Sequence, residues 1–209
     1  ADIAEPRAGS VAEDEGEKRC VFISYTPKAF ENMRRIVRKY ADDGCDVMVL
    51  PITKYNIAPD MTGITAADDD EADDFYRETD SVKVTRDAAI LSTHPDIIFT
   101  KFQYEEFNMV TGVDKMFYSK ALKPITDRLV YVPAFEVETV PEDDERTRKL
   151  MPMYVCTRMA TVCDEIVLHS RQMKDCYKEC LTAFSGEAYS DIWEKKITVF
   201  EKGSNSDGS

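Results

Sequence analysis

Residues 20–52 read CVFISYTPKAFENMRRIVRKYADDGCDVMVLPI, and this stretch decides the fold class. The apolar runs at 20–25 and 45–52 have the length and the β-branched content of buried strands. Between them, apolar residues from Phe30 to Tyr40 recur at helical spacing, which predicts one apolar face of a helix that ends at Gly44. The stretch therefore predicts a strand, helix, strand unit with parallel strands.

The same alternation continues along the rest of the chain. Met173 to Phe184 give the clearest helical pattern, and Ser170 is placed to cap that helix. Because the strand-like runs are apolar on both faces and alternate with helices, we expect a three-layer, doubly wound α/β fold with a mostly parallel sheet of six or seven strands. Five further strand-like runs complete this sheet, at residues 81–86, 96–100, 128–133, 165–170 and 197–200.

Length and composition indicate one globular domain. The chain has 209 residues, 43% of them hydrophobic, and a formal net charge of -13. We expect the domain to span residues 20–200, with the polar segments 1–19 and 201–209 as tails or interdomain linkers. Since the apolar runs are short, we expect no membrane span, and since acidic residues are in excess, we expect no nucleic-acid partner. The six cysteines, which form no CxxC pair, favour a cytoplasmic protein with reduced thiols.

Metal and cofactor motifs are absent from the sequence. The six cysteines form no CxxC pair, and Cys176 and Cys180 have no matching pair of histidines, so we interpret the cysteines as reduced and mostly buried. The polar connection 53–80 carries the acidic run DDDEADD (68–74), which lacks the spacing and the glycine of a calcium loop. No glycine follows the first strand, so no dinucleotide turn is present. We predict neither a metal nor a cofactor.

A ligand site is expected where the strand order reverses. In doubly wound sheets the order is commonly 3-2-1-4-5-6, and ligands bind beyond the carboxyl ends of the first and fourth strands. Here these ends are residues 24–26 and 100–104. The aromatic-rich connection that follows offers hydroxyl and amide groups to a sugar or polyol, from Tyr104, Asn108, Thr111, Tyr118 and Ser119. In the alternative interpretation, its aromatic residues pack on the sheet while Asn108 and Thr111 satisfy backbone groups of the loop.

A family resemblance rests on the same region. Residues 95–135 read PDIIFTKFQYEEFNMVTGVDKMFYSKALKPITDRLVYVPAF, with CDVMVLPITKY (45–55) before them and IWEKKI (192–197) after them. In these motifs the chain resembles a bacterial family of CDP-glycerol glycerophosphotransferase-like proteins, over roughly residues 20–204. The family has the GT-B fold of two Rossmann-like domains, and the resemblance covers the first, acceptor-side domain only.

The resemblance implies a function and a set of site residues. The chain would be the N-terminal, acceptor-side domain of a glycerophosphotransferase or glycosyltransferase acting on cell-envelope precursors of the teichoic acid type, inactive without a C-terminal donor-binding domain. A polyol or sugar phosphate would be bound by Tyr25, Lys101, Tyr104, Asn108 and Thr111.

The chain departs from the family at two positions of its motifs. Residues 101–105 stand where family members carry His-Asn-Pro-Tyr-Asp, and Asp114 and Lys115 replace a His-Pro pair. The natural proton acceptors are therefore missing, and Glu105 is the remaining candidate for a catalytic base. Two alternatives stay open. One is a non-catalytic Rossmann-like binding or interaction module, and the weaker one is a flavodoxin-like or receiver-like domain.

Overall fold

The computed structural model describes residues 17–60, 62–67, 73–133 and 144–201. Within them the strands are β1 (Arg19–Ser24), β2 (Asp46–Pro51), β3 (Tyr55–Ile57), β4 (Ile64–Ala66), β5 (Val82–Val84), β6 (Ile97–Thr100), β7 (Thr111–Gly112), β8 (Arg128–Tyr131), β9 (Glu165–Leu168) and β10 (Ile197–Val199). The α-helices are α1 (Pro27–Glu31), α2 (Arg34–Asp42), α3 (Ser119–Leu122), α4 (Glu145–Val155), α5 (Arg158–Val162), α6 (Arg171–Ser185) and α7 (Ser190–Lys196). Short 3-10 turns occupy Asp73–Tyr76, Ala88–Thr93, Glu105–Phe107, Lys115–Phe117, Lys123–Ile125 and Glu187–Tyr189.

A seven-stranded parallel sheet forms the centre of the protein, which confirms the predicted fold class. Its order is β10-β9-β8-β6-β1-β2-β5. When only the strands of this sheet are counted in chain order, and the sheet is read from β5 to β10, the order is 3-2-1-4-5-6-7. This is the expected 3-2-1-4-5-6 order with a seventh strand at one edge. β1 pairs directly with β6, from Cys20↔Ile97 to Phe22↔Phe99, and on its other side with β2. The order therefore reverses at β1 and β6, where the sequence predicted it.

Helices cover both faces of the sheet, and alternate residues of each strand enter different cores. Val21 and Ile23 of β1 face one core, while Cys20 and Phe22 face the other. The first core also contains side chains of α4 to α7, and the second contains side chains of α1 and α2. This two-sided burial explains why the strands are apolar at nearly every position.

Local signals in the sequence set most helix ends. The hydroxyl of Ser170 accepts a hydrogen bond from Met173 N at 3.2 Å, so it caps α6 as predicted. Gly44 follows α2 with a φ of +82°, a conformation that glycine adopts without steric strain. The single helix predicted before Gly44 is instead two helices, α1 and α2, joined through Asn32 and Met33.

A second sheet was not predicted from the sequence. β3 and β4 form an antiparallel hairpin, and β7 adds to the other side of β3 through Asn56↔Thr111 and Tyr55↔Gly112. β3 follows the carboxyl end of β2, and β7 follows that of β6, the two strands that flank β1. The small sheet therefore links the two loops on either side of the predicted site.

Some predictions concern residues that lie outside the described ranges. These are residues 1–16 and 202–209 of the predicted tails and residues 68–72 of the acidic run. Arg19, placed in the first tail by the sequence, belongs to β1. Among the residues that the structure describes, no helix has both the length and the apolar character needed to cross a membrane.

Candidate functional site

The candidate site is the crevice beyond the carboxyl ends of β1 and β6. The hydroxyl groups of Ser24, at the end of β1, and Thr26, in the loop that follows β1, form hydrogen bonds within this segment. The hydroxyl of Ser24 donates to the carbonyl oxygen of Thr26 at 3.0 Å, and the hydroxyl of Thr26 accepts from Ala29 N at 3.0 Å, which caps α1. These bonds hold the loop in one conformation, so the next side chain, Tyr25, has a fixed position at the crevice.

Three aromatic side chains lie side by side at this edge of the sheet, and we call Tyr25, Phe102 and Tyr118 the aromatic row. The rings of Tyr25 and Phe102 meet edge to face, with centroids 5.9 Å apart. Phe102 stacks on Tyr118 with centroids 6.1 Å apart and an angle of 15° between the rings. Phe102 is buried, while Tyr25 and Tyr118 are partly exposed. Burial, with a contribution from the nearby Tyr104, raises the pKa of Tyr25 to about 12, so its phenol is neutral at physiological pH.

Lys101 follows β6 directly, yet its side chain is fully buried. A ligand in the crevice would reach its ammonium group only after neighbouring side chains moved. Tyr104, by contrast, is partly exposed, and burial raises the pKa of its phenol above the ordinary value. Of these two predicted ligand-binding residues, Tyr104 is the one that a ligand can contact directly.

A buried polar pair beneath the crevice was not found from the sequence. The phenol of Tyr131, at the end of β8, donates a hydrogen bond to Oε1 of Gln103. Tyr131 is fully buried, which raises its pKa well above the ordinary value. The signal available in the sequence was the position of Gln103, a polar residue that directly follows an apolar strand.

Glu105, the candidate catalytic base, accepts a hydrogen bond from the protein backbone that the sequence did not predict. The residue is 1% exposed, and its Oε1 accepts a hydrogen bond from the backbone N–H of Ser119 at 2.7 Å, at the start of α3. Its other oxygen, Oε2, is buried and has no hydrogen-bond partner among the described residues. Burial raises the pKa of this carboxyl group, and hydrogen bonding from Ser119 opposes the shift. Its φ of +47° is unusual for a residue with a side chain.

Asn108 and Thr111 bind each other rather than projecting freely into the crevice. Asn108 Nδ2 donates to Thr111 Oγ1 at 2.8 Å, and Asn108 Oδ1 accepts from the backbone N–H groups of Val110 and Thr111 at 3.0 and 3.1 Å. Thr111 also belongs to β7. This is the arrangement that the alternative interpretation of the sequence expected, since both residues satisfy groups of their own loop.

Candidate metal ligands do not converge in the part of the chain that the structure describes. Within it, no group of three or more His, Cys, Asp or Glu side chains is placed to hold a metal ion. The six cysteines are free thiols, and burial raises the pKa of the thiols of Cys156 and Cys163 to about 11. The partly exposed polar groups at the crevice include the phenols of Tyr25, Tyr104 and Tyr118.

Comparisons of the chain with protein-family models, with curated proteins and with solved structures find no significant match.

Proposed function

We propose that this chain is the acceptor-side domain of a GT-B-type glycerophosphotransferase or glycosyltransferase that acts on polyol-phosphate or sugar-phosphate precursors of cell-envelope polymers. The observation that carries the proposal is the adjacency of β1 and β6 with the aromatic row at their carboxyl ends. Ligands of doubly wound sheets bind at this position. The family resemblance of residues 95–135 supplies the substrate class, with teichoic acid-type polymers of bacteria as the example.

The groups at the crevice suit a polyhydroxylated ligand. Aromatic rings offer apolar faces to the C–H groups of a sugar or polyol, and a phenol both donates and accepts hydrogen bonds. Tyr25, Tyr104 and Tyr118 each combine these two properties and are partly exposed. The two carboxylates of the same loop have other partners, because Glu105 binds Ser119 and Glu106 forms an ion pair with Arg158.

On this proposal the domain binds and orients the acceptor but does not complete a transfer by itself. A displacement needs donor and acceptor held together in one geometry, and the donor would be bound by a C-terminal partner domain. Glu105 is poorly suited to accept the proton of the acceptor hydroxyl, since it is buried and already holds Ser119 N–H. The cytoplasm is the expected location, because activated nucleotide donors are made there.

Calorimetric titration with sn-glycerol 3-phosphate tests the proposal, with inorganic phosphate as a reference ligand. We expect binding by the unmodified chain and a loss of about fivefold to tenfold in affinity for Tyr25→Phe, which removes one hydrogen-bonding hydroxyl. Tyr40→Phe is the matched control, because the Tyr40 hydroxyl accepts a hydrogen bond from Arg128 at the amino end of the sheet. Equal losses in both variants would contradict the assignment of the crevice.

The second candidate function is a non-catalytic binding or interaction module with the same fold. It is favoured by the internal hydrogen bonds of Asn108 and Thr111, which leave these residues little freedom to bind a ligand. The same titrations, extended to CDP-glycerol, separate the two functions. Heat with the acceptor-like phosphate supports the transferase domain, and no heat with any of the three ligands supports the module.

A further inference from the structure

The side chain of Gln103 lies between two phenol groups at the edge of the crevice. On one side its amide is bonded to Tyr131, the last residue of β8, and on the other it contacts Tyr104, its neighbour in the sequence. Gln103 is 6% exposed and Tyr131 is fully buried, whereas Tyr104 is partly exposed. A buried amide group therefore joins a phenol of the core to a phenol that a ligand can contact.

The buried phenol fixes the orientation of this amide group. The hydroxyl of Tyr131 is bonded to Oε1 of Gln103. Burial raises the pKa of Tyr131 well above its ordinary value, so the hydroxyl keeps its proton at physiological pH. A buried O–H group needs an acceptor, and an amide group accepts only through its oxygen. The oxygen of Gln103 therefore faces Tyr131, and its NH₂ group faces away from Tyr131.

The NH₂ group of Gln103 is the part of the amide that contacts the phenol of Tyr104. Burial raises the pKa of Tyr104, and hydrogen bonding with Gln103 opposes that shift. A hydrogen bond lowers the pKa of a phenol when the partner donates to the phenol oxygen, because donation stabilises the phenolate. Gln103 is therefore the donor, in agreement with the amide orientation that Tyr131 imposes. The O–H group of Tyr104 takes no part in this contact.

The direction of this hydrogen bond decides what Tyr104 offers to a ligand. An isolated phenol can donate one hydrogen bond and can also accept. A phenol whose oxygen already accepts from a fixed amide presents its proton to the ligand. The best partner for that proton is an oxygen that carries a negative charge and no proton of its own, and the oxygens of an ionised phosphate ester meet both conditions.

We propose that the buried pair of Gln103 and Tyr131 holds Tyr104 as a hydrogen-bond donor towards the crevice, where its phenol donates to a phosphate oxygen of the bound acceptor. Tyr131 is a positioning residue, because it acts on the ligand only through Gln103 and Tyr104. The inference rests on the proposed function for the identity of the ligand. The orientation of Tyr104 does not depend on that identity, so it can be measured without a ligand.

Fluorine NMR of the full chain with 3-fluorotyrosine at position 104 measures that orientation. Fluorination makes the phenol more acidic, so its ionisation can be followed at lower pH than that of tyrosine. Gln103→Glu should raise the pKa at position 104, because a carboxylate accepts from both phenols and stabilises the protonated form. Tyr131→Phe should raise it too, because the amide loses the group that fixes its oxygen and can turn that oxygen towards Tyr104.

The matched control is Tyr177→Phe, which removes another buried phenol hydroxyl, one that has no hydrogen-bond partner among the described residues. Circular dichroism melts verify the folding of every variant.

Calorimetric titration with sn-glycerol 3-phosphate measures the consequence for binding. We expect affinity to fall about tenfold in Gln103→Glu and about threefold in Tyr131→Phe, with no change in Tyr177→Phe. The inference is overturned if neither Gln103→Glu nor Tyr131→Phe raises the pKa at position 104, or if Tyr177→Phe loses as much affinity as Tyr131→Phe. Failure of the unmodified chain to bind would instead contradict the proposed function, and the fluorine titration would still decide the orientation of Tyr104.

Discussion

Replacing Glu105 by glutamine and by alanine separates the charge of its carboxyl group from its role as a hydrogen-bond acceptor. The group is 1% exposed and accepts the backbone N–H of Ser119 at 2.7 Å. Glutamine keeps an oxygen acceptor for that N–H but carries no charge, whereas alanine removes the acceptor. Both replacements have a Cβ, so the backbone strain at a φ of +47° is the same in each, and the comparison isolates the carboxyl group.

The expected magnitudes follow from burial. Ser119 is fully buried, so alanine leaves its N–H group without an acceptor or a water molecule, at a cost of about 2–3 kcal/mol in the free energy of unfolding. For a chain of this length, that loss lowers the melting temperature by about 4–12 °C. Glutamine should change the free energy of unfolding by less than about 1 kcal/mol, because the hydrogen bond survives and the buried charge is removed.

The same variants predict a pH dependence with a definite sign. Burial raises the pKa of Glu105 above its ordinary value of 4.5, so the folded protein holds this proton more tightly than the unfolded chain. The favourable contribution of protonated Glu105 to the free energy of unfolding is complete below pH 4.5. It is lost as the pH rises through the raised pKa of the folded state. The unmodified chain should therefore lose stability relative to Glu105→Gln as the pH rises from 4.5 towards neutrality.

Urea unfolding between pH 4.5 and 8 measures these differences. The fluorescence of the single tryptophan, Trp193, reports unfolding, because its side chain is fully buried in the native state. Circular dichroism provides an independent probe of the same transition. The reasoning is refuted if glutamine destabilises the chain as much as alanine does, or if the stability difference between the unmodified chain and Glu105→Gln does not change with pH.

Three further predictions follow from individual contacts. Ser170→Ala should lower the free energy of unfolding by about 1 kcal/mol in urea titrations, since it removes the cap of α6, and Ser170→Asp should restore it. Trp193→Phe should cost about 2–4 kcal/mol in urea titrations followed by circular dichroism, since the variant lacks the fluorescent reporter, because it loses core volume and the 2.8 Å hydrogen bond to Ser185 Oγ; an unchanged midpoint would contradict the burial of the indole. Asp164→Ala should cost about 3 kcal/mol in calorimetric melts, because the buried carboxylate accepts Leu129 N–H at 2.8 Å and pairs with Lys123, and a shift under 1 °C would argue against that role.

Much of the central fold follows from the sequence because its determinants are local. A strand buried on both faces needs apolar residues at consecutive positions, as in Val21, Phe22 and Ile23, and this pattern is visible without coordinates. Helix ends are equally local, since Ser170 and Gly44 act on backbone groups within a few residues. The alternation of strands and helices then leaves few arrangements of the sheet, and the reversal at β1 and β6 is among them.

The small sheet could not be predicted in the same way. Asn56 pairs with Thr111 across 55 residues of sequence, and the strands involved have only two or three residues each. Such short segments show no measurable alternation of apolar and polar residues. Only the folding of the large sheet, which brings the ends of β2 and β6 to the two sides of β1, places them next to each other.

The sequence by itself determined the layered α/β architecture and the edge of the sheet at which a ligand is expected to bind. The tertiary structure decided which side chains are available there. It buries Lys101, commits Glu105 to a backbone group fourteen residues along the chain, and leaves Tyr25 and Tyr104 partly exposed. The physical reason is that strand and helix patterns depend on neighbours in sequence, whereas the burial and hydrogen bonding of a polar side chain depend on neighbours in space.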